Sequence, residues 1–378
     1  EDSEAQTKKQ KEELEEQIKA VNSAIKSLSL CQQPPFVWDI SFVEIFEDEN
    51  PGFDIVIGNP PYVRQEKIRD YLGRFERREY IGRLNESLKP IYPIFMKEKG
   101  RISGRADYYI YFYLHGLSLL ADNGSFCFIT SNSWLDVDFG KDLQEFFLRY
   151  GHPKMIVDNR AKRSFSQADI NTVIVLAASP KRKRPLSTEE MREHLVRFVS
   201  FRVPFEQVIS PVIFFEIEDD RLYKPLAGFK ILNRPEFRAV VLDQLALYEE
   251  GLSKKEESDL IKEPKGWTYE GNKWGGKYLR APDIFYVILE KGKGKLVRLG
   301  DIAEVRRGFT TGANEFFYLK PIENTLEEIV NIAEQNQKAI IKIRNGFLWE
   351  GYIEAKFLKP ILFSLKEVNS VRIDLKYL

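Results

Sequence analysis

Apolar residues in this chain come in short bursts whose spacing changes along its length. Over residues 1–30, Leu14, Ile18, Val21, Ile25 and Leu28 recur at steps of four and three, which predicts one charged helix with a single apolar stripe. The run "CQQPP" ends it. "FVWDISFVEIF" (36–46) is dense in apolar and aromatic side chains and predicts a strand or a buried loop. "EDENPG" then turns the chain. Phe53, Ile55, Val56 and Ile57 form a β-branched run that suits a strand buried on both faces, as in a parallel sheet.

Residues 63–106 are polar and predict an insertion of short helices and loop. From Asp107 the pattern alternates. "DYYIYFYLHGLSLLA" predicts a buried helix, "DNG" a turn and "SFCFITSNSWL" a strand. "FGKDLQEFFLRYG" predicts a helix closed by Gly151, and "KMIVDN" and "NTVIVLAAS" predict two further strands. Alternating strands and helices imply an α/β sheet with helices on its faces. "KRKRP" (181–185) reads as a basic linker. Beyond it lie the apolar runs "HLVRFVSFRV" and "VIFFEIE", then a mostly polar, helix-prone stretch over 219–272. A helix is expected near 282–290, then a glycine-rich connection and a basic loop around Arg306 and Arg307. The expected division is therefore 1–35, 36–184 and 185–378.

Composition narrows the class only slightly. The 378 residues suggest two or three domains, and Lys plus Arg equals Asp plus Glu at 57 each, so any basic surface must be local. Segment 63–106 is such a place: it holds twelve Lys/Arg against six Asp/Glu, with Tyr71, Phe75, Tyr80 and Tyr92 interleaved. That mixture suits phosphates and unstacked bases, and equally a solvated helical surface. Two cysteines, Cys31 and Cys127, and three histidines show no metal-ligand spacing, so no metal is expected. No signal peptide or membrane-length apolar run is present, and a cytoplasmic protein is expected.

The candidate chemistry sits directly after the motif strand, in "FDIVIGNPPYVRQ". Gly58 lets the backbone leave the sheet tightly. Each proline pushes the residue before it into extended geometry and removes an N–H, giving a stiff loop at the carboxyl end of a strand, where open α/β sheets bind ligands. Such a loop suits a planar, weakly nucleophilic amine such as the exocyclic nitrogen of adenine. The Asn59 side-chain oxygen and the Pro60 carbonyl would accept its two hydrogens and free its lone pair, while Tyr62 stacks on the ring. A base in a duplex must first leave the stack.

"FDIVIGNPPY" resembles motif IV of the amino-group DNA methyltransferases that use S-adenosylmethionine. "RADYYIYFYLHGLSLLADNGSFCFITSNSWL" looks like their motifs V and VI, and "RSFSQADINTVIVL" like motif VIII. The tail "YLRAPDIFYVILEKGKGKLVRLGDIAEVRRGFTTGANEFF" is similar to target-recognition domains of type IIG restriction–modification enzymes and TaqI-like adenine methylases. The resemblance implies a partial Rossmann-like catalytic domain over 36–184, with 63–106 as an insertion. It implies a mixed α+β target-recognition domain, with its linker, over 185–378. Asn59, Pro60, Pro61 and Tyr62 would be the catalytic loop, Phe165 a second contact to the flipped base, and Asp107 a residue near the cofactor; Asp107 also fits a helix N-cap. Arg306, Arg307 and Asn314 would read double-stranded DNA, or touch only its phosphates.

One departure stands out. No strand with a glycine-rich turn precedes Asn59, so the main cofactor motif is expected to lie outside this chain; the end at "VRIDLKYL" is expected to cut the recognition domain short, and, as no Glu-x-Lys pair follows Pro282-Asp283 at short range, any nuclease is expected outside the chain as well. The chain alone is then expected to be inactive or to bind cofactor poorly. An RNA or protein-glutamine methyltransferase and a non-catalytic DNA-binding subunit of the same fold remain alternatives.

Overall fold

A computed structural model describes residues 36–161, 171–180, 184–253, 268–297, 299–303 and 311–361, together with Lys11, Leu14, Glu15, Ile18, Lys19 and Asn22. Those six are helical, and Leu14 and Ile18 are exposed. Val21, Ile25 and Leu28 of the expected stripe lie outside the described residues. The chain divides into two compact units, Glu1–Leu296 and Val297–Leu378.

The first unit is built on one eight-stranded sheet. Its strands are β1 (Phe53–Gly58), β2 (Leu120–Ser131), β3 (His152–Asn159), β4 (Thr172–Ala178), β5 (Leu195–Phe201), β6 (Lys224–Leu226), β7 (Phe229–Asn233) and β8 (Phe237–Asp243), in the order β1-β2-β4-β3-β5-β8-β7-β6. β1 pairs parallel with β2 and β3 with β5, while β4 runs antiparallel between β2 and β3. Strands β1, β2, β3 and β5 therefore point the same way and end at one edge. The expected α/β sheet with flanking helices is present.

Helices α1 (Arg77–Leu88), α2 (Pro93–Lys99), α3 (Tyr108–Ser118) and α4 (Lys141–Arg149) follow the apolar periodicity. α3 buries Tyr109, Ile110, Tyr113, Leu114 and Leu117 in a core shared with Phe126, Phe128, Val175 and Phe198. Its composition is apolar almost all round because it packs on several sides at once. α4 ends as expected, with the Gly151 N–H donating to the carbonyls of Phe146 and Phe147 at 3.2 Å. The opposite sheet face packs Val199, Phe201, Phe237 and Val241 into a second core.

Four expectations are corrected. Residues 36–46 form two single-turn helices, Trp38–Ser41 and Val43–Phe46, instead of a strand or buried loop. Trp38, Phe42 and Phe46 are spaced by four, and their rings surround that of Phe53 at 5.7, 5.4 and 5.5 Å. β1 is not buried on both faces. It is an edge strand, with Ile55 68% and Ile57 77% exposed. The helix-prone reading of 219–272 fails over its first half, where β6, β7 and β8 complete the sheet before a helix at Gln244–Glu250. Finally, the sheet runs straight across the expected boundary at 184/185, because β5 pairs with both β3 and β8.

The second unit has a three-stranded sheet, β9 (Lys320–Pro321), β10 (Ile340–Arg344) and β11 (Glu350–Glu354), with β10 central. A helix at Leu326–Gln335 is capped reciprocally by Thr325 and Glu328 and covers a core of Ile329, Ile341, Ile343, Ala355 and Leu358.

Candidate active site

The common edge where β1, β2 and β3 end carries the Asn-Pro-Pro-Tyr loop. A β-carbon on residue 58 would come within 2.9 Å of the ring of Phe128, its register partner, so any larger residue must push that ring aside. Asn59 is exposed, Pro60 is buried and Pro61 is exposed. Among the described residues nothing hydrogen-bonds the Asn59 carboxamide, which leaves its oxygen available. Tyr62 is half-buried, and its hydroxyl donates to the Ile129 carbonyl of β2 at 3.1 Å. Burial pushes that phenol up to about 12.

The loop's exit is held by the start of α3. The Tyr108 N–H donates to the Val63 carbonyl at 3.0 Å, and the Gln65 N–H donates to Asp107 Oδ1 at 3.0 Å. Asp107 stands at the N-cap position of α3 but makes no side-chain bond to its own helix. Its carboxylate instead holds the exit of the Asn-Pro-Pro-Tyr loop, and burial raises its pKa.

Three sets of residues at this edge were not singled out from the sequence. Ser131 and Ser133, just past β2, share a hydroxyl chain with Tyr109 of α3: Ser131 Oγ to Ser133 Oγ at 2.9 Å and Ser133 Oγ to Tyr109 Oη at 3.1 Å. Asp158, near the end of β3, is buried, and that burial raises its pKa. Asn159 follows it with both side-chain amide atoms buried and unbonded among the described residues. The signal for the serines was the polar run "TSNS" directly after an apolar strand. Asp158 and Asn159 were quoted only as a strand end.

Phe165 lies outside the described residues. The connection that carries it starts after β3 and returns at Thr172, which pairs with Ser131 at this same edge. Arg306 and Arg307 also lie outside the described residues. Asn314 is in the second unit, exposed, and its Oδ1 accepts from Thr311 Oγ1 at 2.5 Å.

A cofactor cradle of the expected kind is not formed by the described residues. Ahead of β1 they contain two single-turn helices and no strand followed by a glycine turn. Among the described residues no group of His, Cys, Asp and Glu side chains could hold a metal ion, and no helix is long and apolar enough to cross a membrane.

Residues 2–165 match the Eco57I restriction-modification methylase family model. That match takes in less than half of the chain. The match covers β1, the Asn-Pro-Pro-Tyr loop, α3 and β3. The chain is 35% identical over 106 residues to the type II methyltransferase M.BstVI of Geobacillus stearothermophilus, covering 28% of this chain and 16% of that protein. It is 30% identical over 187 residues to the type II methyltransferase M.XhoI of Xanthomonas vasicola, covering 48% and 27%. It thus spans well under half of either relative. Among solved structures, the type IIG restriction endonuclease BpuSI aligns with 86% of this chain and 31% of its own, at 14% identity and a TM-score of 0.41.

Proposed function

We propose that this protein methylates N6 of adenine in double-stranded DNA with S-adenosylmethionine, as the modification part of a type IIG-like restriction–modification or phage-defence enzyme. The observation that carries the reading is the stiff loop on β1, with an exposed, unbonded Asn59 carboxamide beside a phenol tied to β2. The restriction–modification family match over this segment supports it.

S-adenosylmethionine supplies an electrophilic methyl group when bound. The rest falls to this chain. A flipped adenine lies against Tyr62, whose hydroxyl bond fixes the ring plane. Asn59 Oδ1 and the Pro60 carbonyl accept the two amine hydrogens. Both acceptors would favour a more tetrahedral nitrogen with a freer lone pair; that pair would form the N–C bond as the methyl's bond to the sulfonium breaks and a neutral thioether leaves, and one amine proton would pass to water. Phe165 supplies the second face of the base pocket, and Asp107 acts by holding the loop's exit near the cofactor side. Target recognition falls to the part of the chain beyond the eight-stranded sheet, with Arg306, Arg307 and Asn314 as base readers. This chain by itself, with no strand and glycine-rich turn ahead of Asn59, is inactive or binds cofactor poorly.

The test is methyl transfer by the full-length protein from tritiated S-adenosylmethionine to duplex DNA, RNA and whole-cell protein in parallel. Label on the adenine amino nitrogen of duplex DNA, lost in Asn59→Ala, is expected. Label on RNA or on glutamine would replace the substrate. No label in any of the three would leave a DNA-binding subunit.

A further inference from the structure

The chain between the catalytic loop and α1 forms a small closed loop with a built tip. Its neck is fastened where Arg77 donates to the Gln65 carbonyl and to Gln65 Oε1, at 2.7 and 2.8 Å from Nη2. Gln65 is itself fastened to Asp107, three residues past Tyr62. Compact loops of this length with joined ends are held by their own side chains. Here Ile68 is buried as the anchor. Asp70, also buried, accepts from the Arg74 N–H at 2.9 Å and from Arg74 Nε at 3.0 Å. Gly73, at φ +66°, lets the chain turn back.

All this scaffolding leaves Tyr71 at the tip, 81% exposed, with Leu72 beside it 43% exposed. An exposed aromatic on a floppy loop would need no explanation. One on a turn fixed by Asp70 does, because the bonds from Arg74, which hold that carboxyl below its usual range, set the tip in one shape with an apolar ring left in water. The loop that forms the tip's collar is basic in sequence, with Arg64, Lys67, Arg69, Arg74, Arg77 and Arg78 against three acids over 64–78, Arg74 being bound to Asp70 and Arg77 to Gln65. Aromatic tip, cationic collar and a root three residues from the catalytic tyrosine fit one partner, an opened DNA duplex.

We propose that Tyr71 is the wedge that enters the base stack at the target site and fills the gap left by the withdrawn base. The inference rests on the base-flipping reading above and extends it to a residue outside the catalytic loop. Withdrawing a base costs its stacking and pairing. A ring inserted in its place recovers stacking, while the collar arginines hold the flanking phosphates. The hydroxyl of Tyr71 has no part in this; the ring does.

The experiment compares the full-length protein with its Tyr71→Ala and Tyr71→Phe variants on two duplexes. One has the target adenine paired with thymine, and the other has it opposite an abasic site, where it is already unpaired. On the paired duplex Tyr71→Ala should lose roughly tenfold or more in methyl transfer, the scale of one base–aromatic stack, and Tyr71→Phe should retain activity. On the abasic duplex the alanine variant should approach wild type. Fluorescence of 2-aminopurine at the target position, read without turnover, should rise with wild type on the paired duplex and rise less with Tyr71→Ala. An equal loss on both duplexes would make Tyr71 a general DNA contact and overturn the wedge, as would no loss on either. A wild-type protein that methylates neither duplex sinks the adenine-methylation reading, and the wedge with it.

Discussion

Strands β1 and β8 are both short apolar runs, and the sheet treats them oppositely. β1 sits at the edge, and its isoleucines 55 and 57 face outward. β8 lies inside the sheet, buried from Phe237 to Leu242. Yet β1 is the strand that looks doubly buried in the sequence, and β8 falls in a stretch that looks polar and helix-prone. The difference teaches that an apolar run reports a strand's capacity to be buried, while its place in the strand order decides whether it is.

The sharpest way to break this comparison is to truncate both strands. Phe237→Ala should cost about 3–5 kcal/mol in urea unfolding, and Ile57→Ala within about 0.5 kcal/mol. Equal costs would mean that β1 is covered in solution. Next comes the separation of stability from activity. Asn59→Ala should leave the unfolding midpoint in place while methyl transfer by the full-length protein falls about a hundredfold or more, as when one preorganised polar group is removed from a transition state. A matching loss of stability would move Asn59 from chemistry to structure.

A smaller effect should come from Asp283, which pairs with Arg238 of β8 at 2.7 Å. Arg238 is buried and also donates to the Leu279 carbonyl at 3.1 Å. Asp283→Asn should cost about 1–3 kcal/mol, because the guanidinium then lacks its counter-charge. A change within about 0.5 kcal/mol would show that the carbonyl suffices. The smallest effect is Tyr62→Phe, about 0.5–1.5 kcal/mol for one hydrogen bond. Its pH dependence has a definite sign. The folded-state pKa is raised to about 12, so the stability tied to the neutral phenol is complete below the unfolded value, about 10, and is lost as pH rises through about 12. Urea unfolding of both proteins at pH 8 and near pH 12 should show the gap between them closing.

Much of the fold was readable from local pattern. The buried helix after Asp107, the α4 stop at Gly151 and the helix near 282–290 all follow from apolar spacing and caps, which act within a few residues. The catalytic loop was readable because prolines and glycine restrict the backbone whatever surrounds them. What escaped depended on distant partners. Trp38, Phe42 and Phe46 form a helical face only because Phe53 stands opposite. β8 was hidden by Arg238, which looks like a surface residue until Asp283, forty-five positions later, neutralises it. Asp107 read as either a cap or a cofactor residue, and the Gln65 N–H it serves lies back across the whole insertion. Strand order, the property that exposes β1, is written in no single segment.

The loop that carries Asn59 is pinned at three points, at Gly58 in the strand, at the Tyr62 hydroxyl and at the clasp of Val63 and Gln65 onto α3. A template fixed so closely has little shape left to adapt. On the proposed DNA-methylation reading, what bends, opens and twists on encounter is the nucleic acid. Sequences whose base pairs part easily would be preferred targets before any base edge is read.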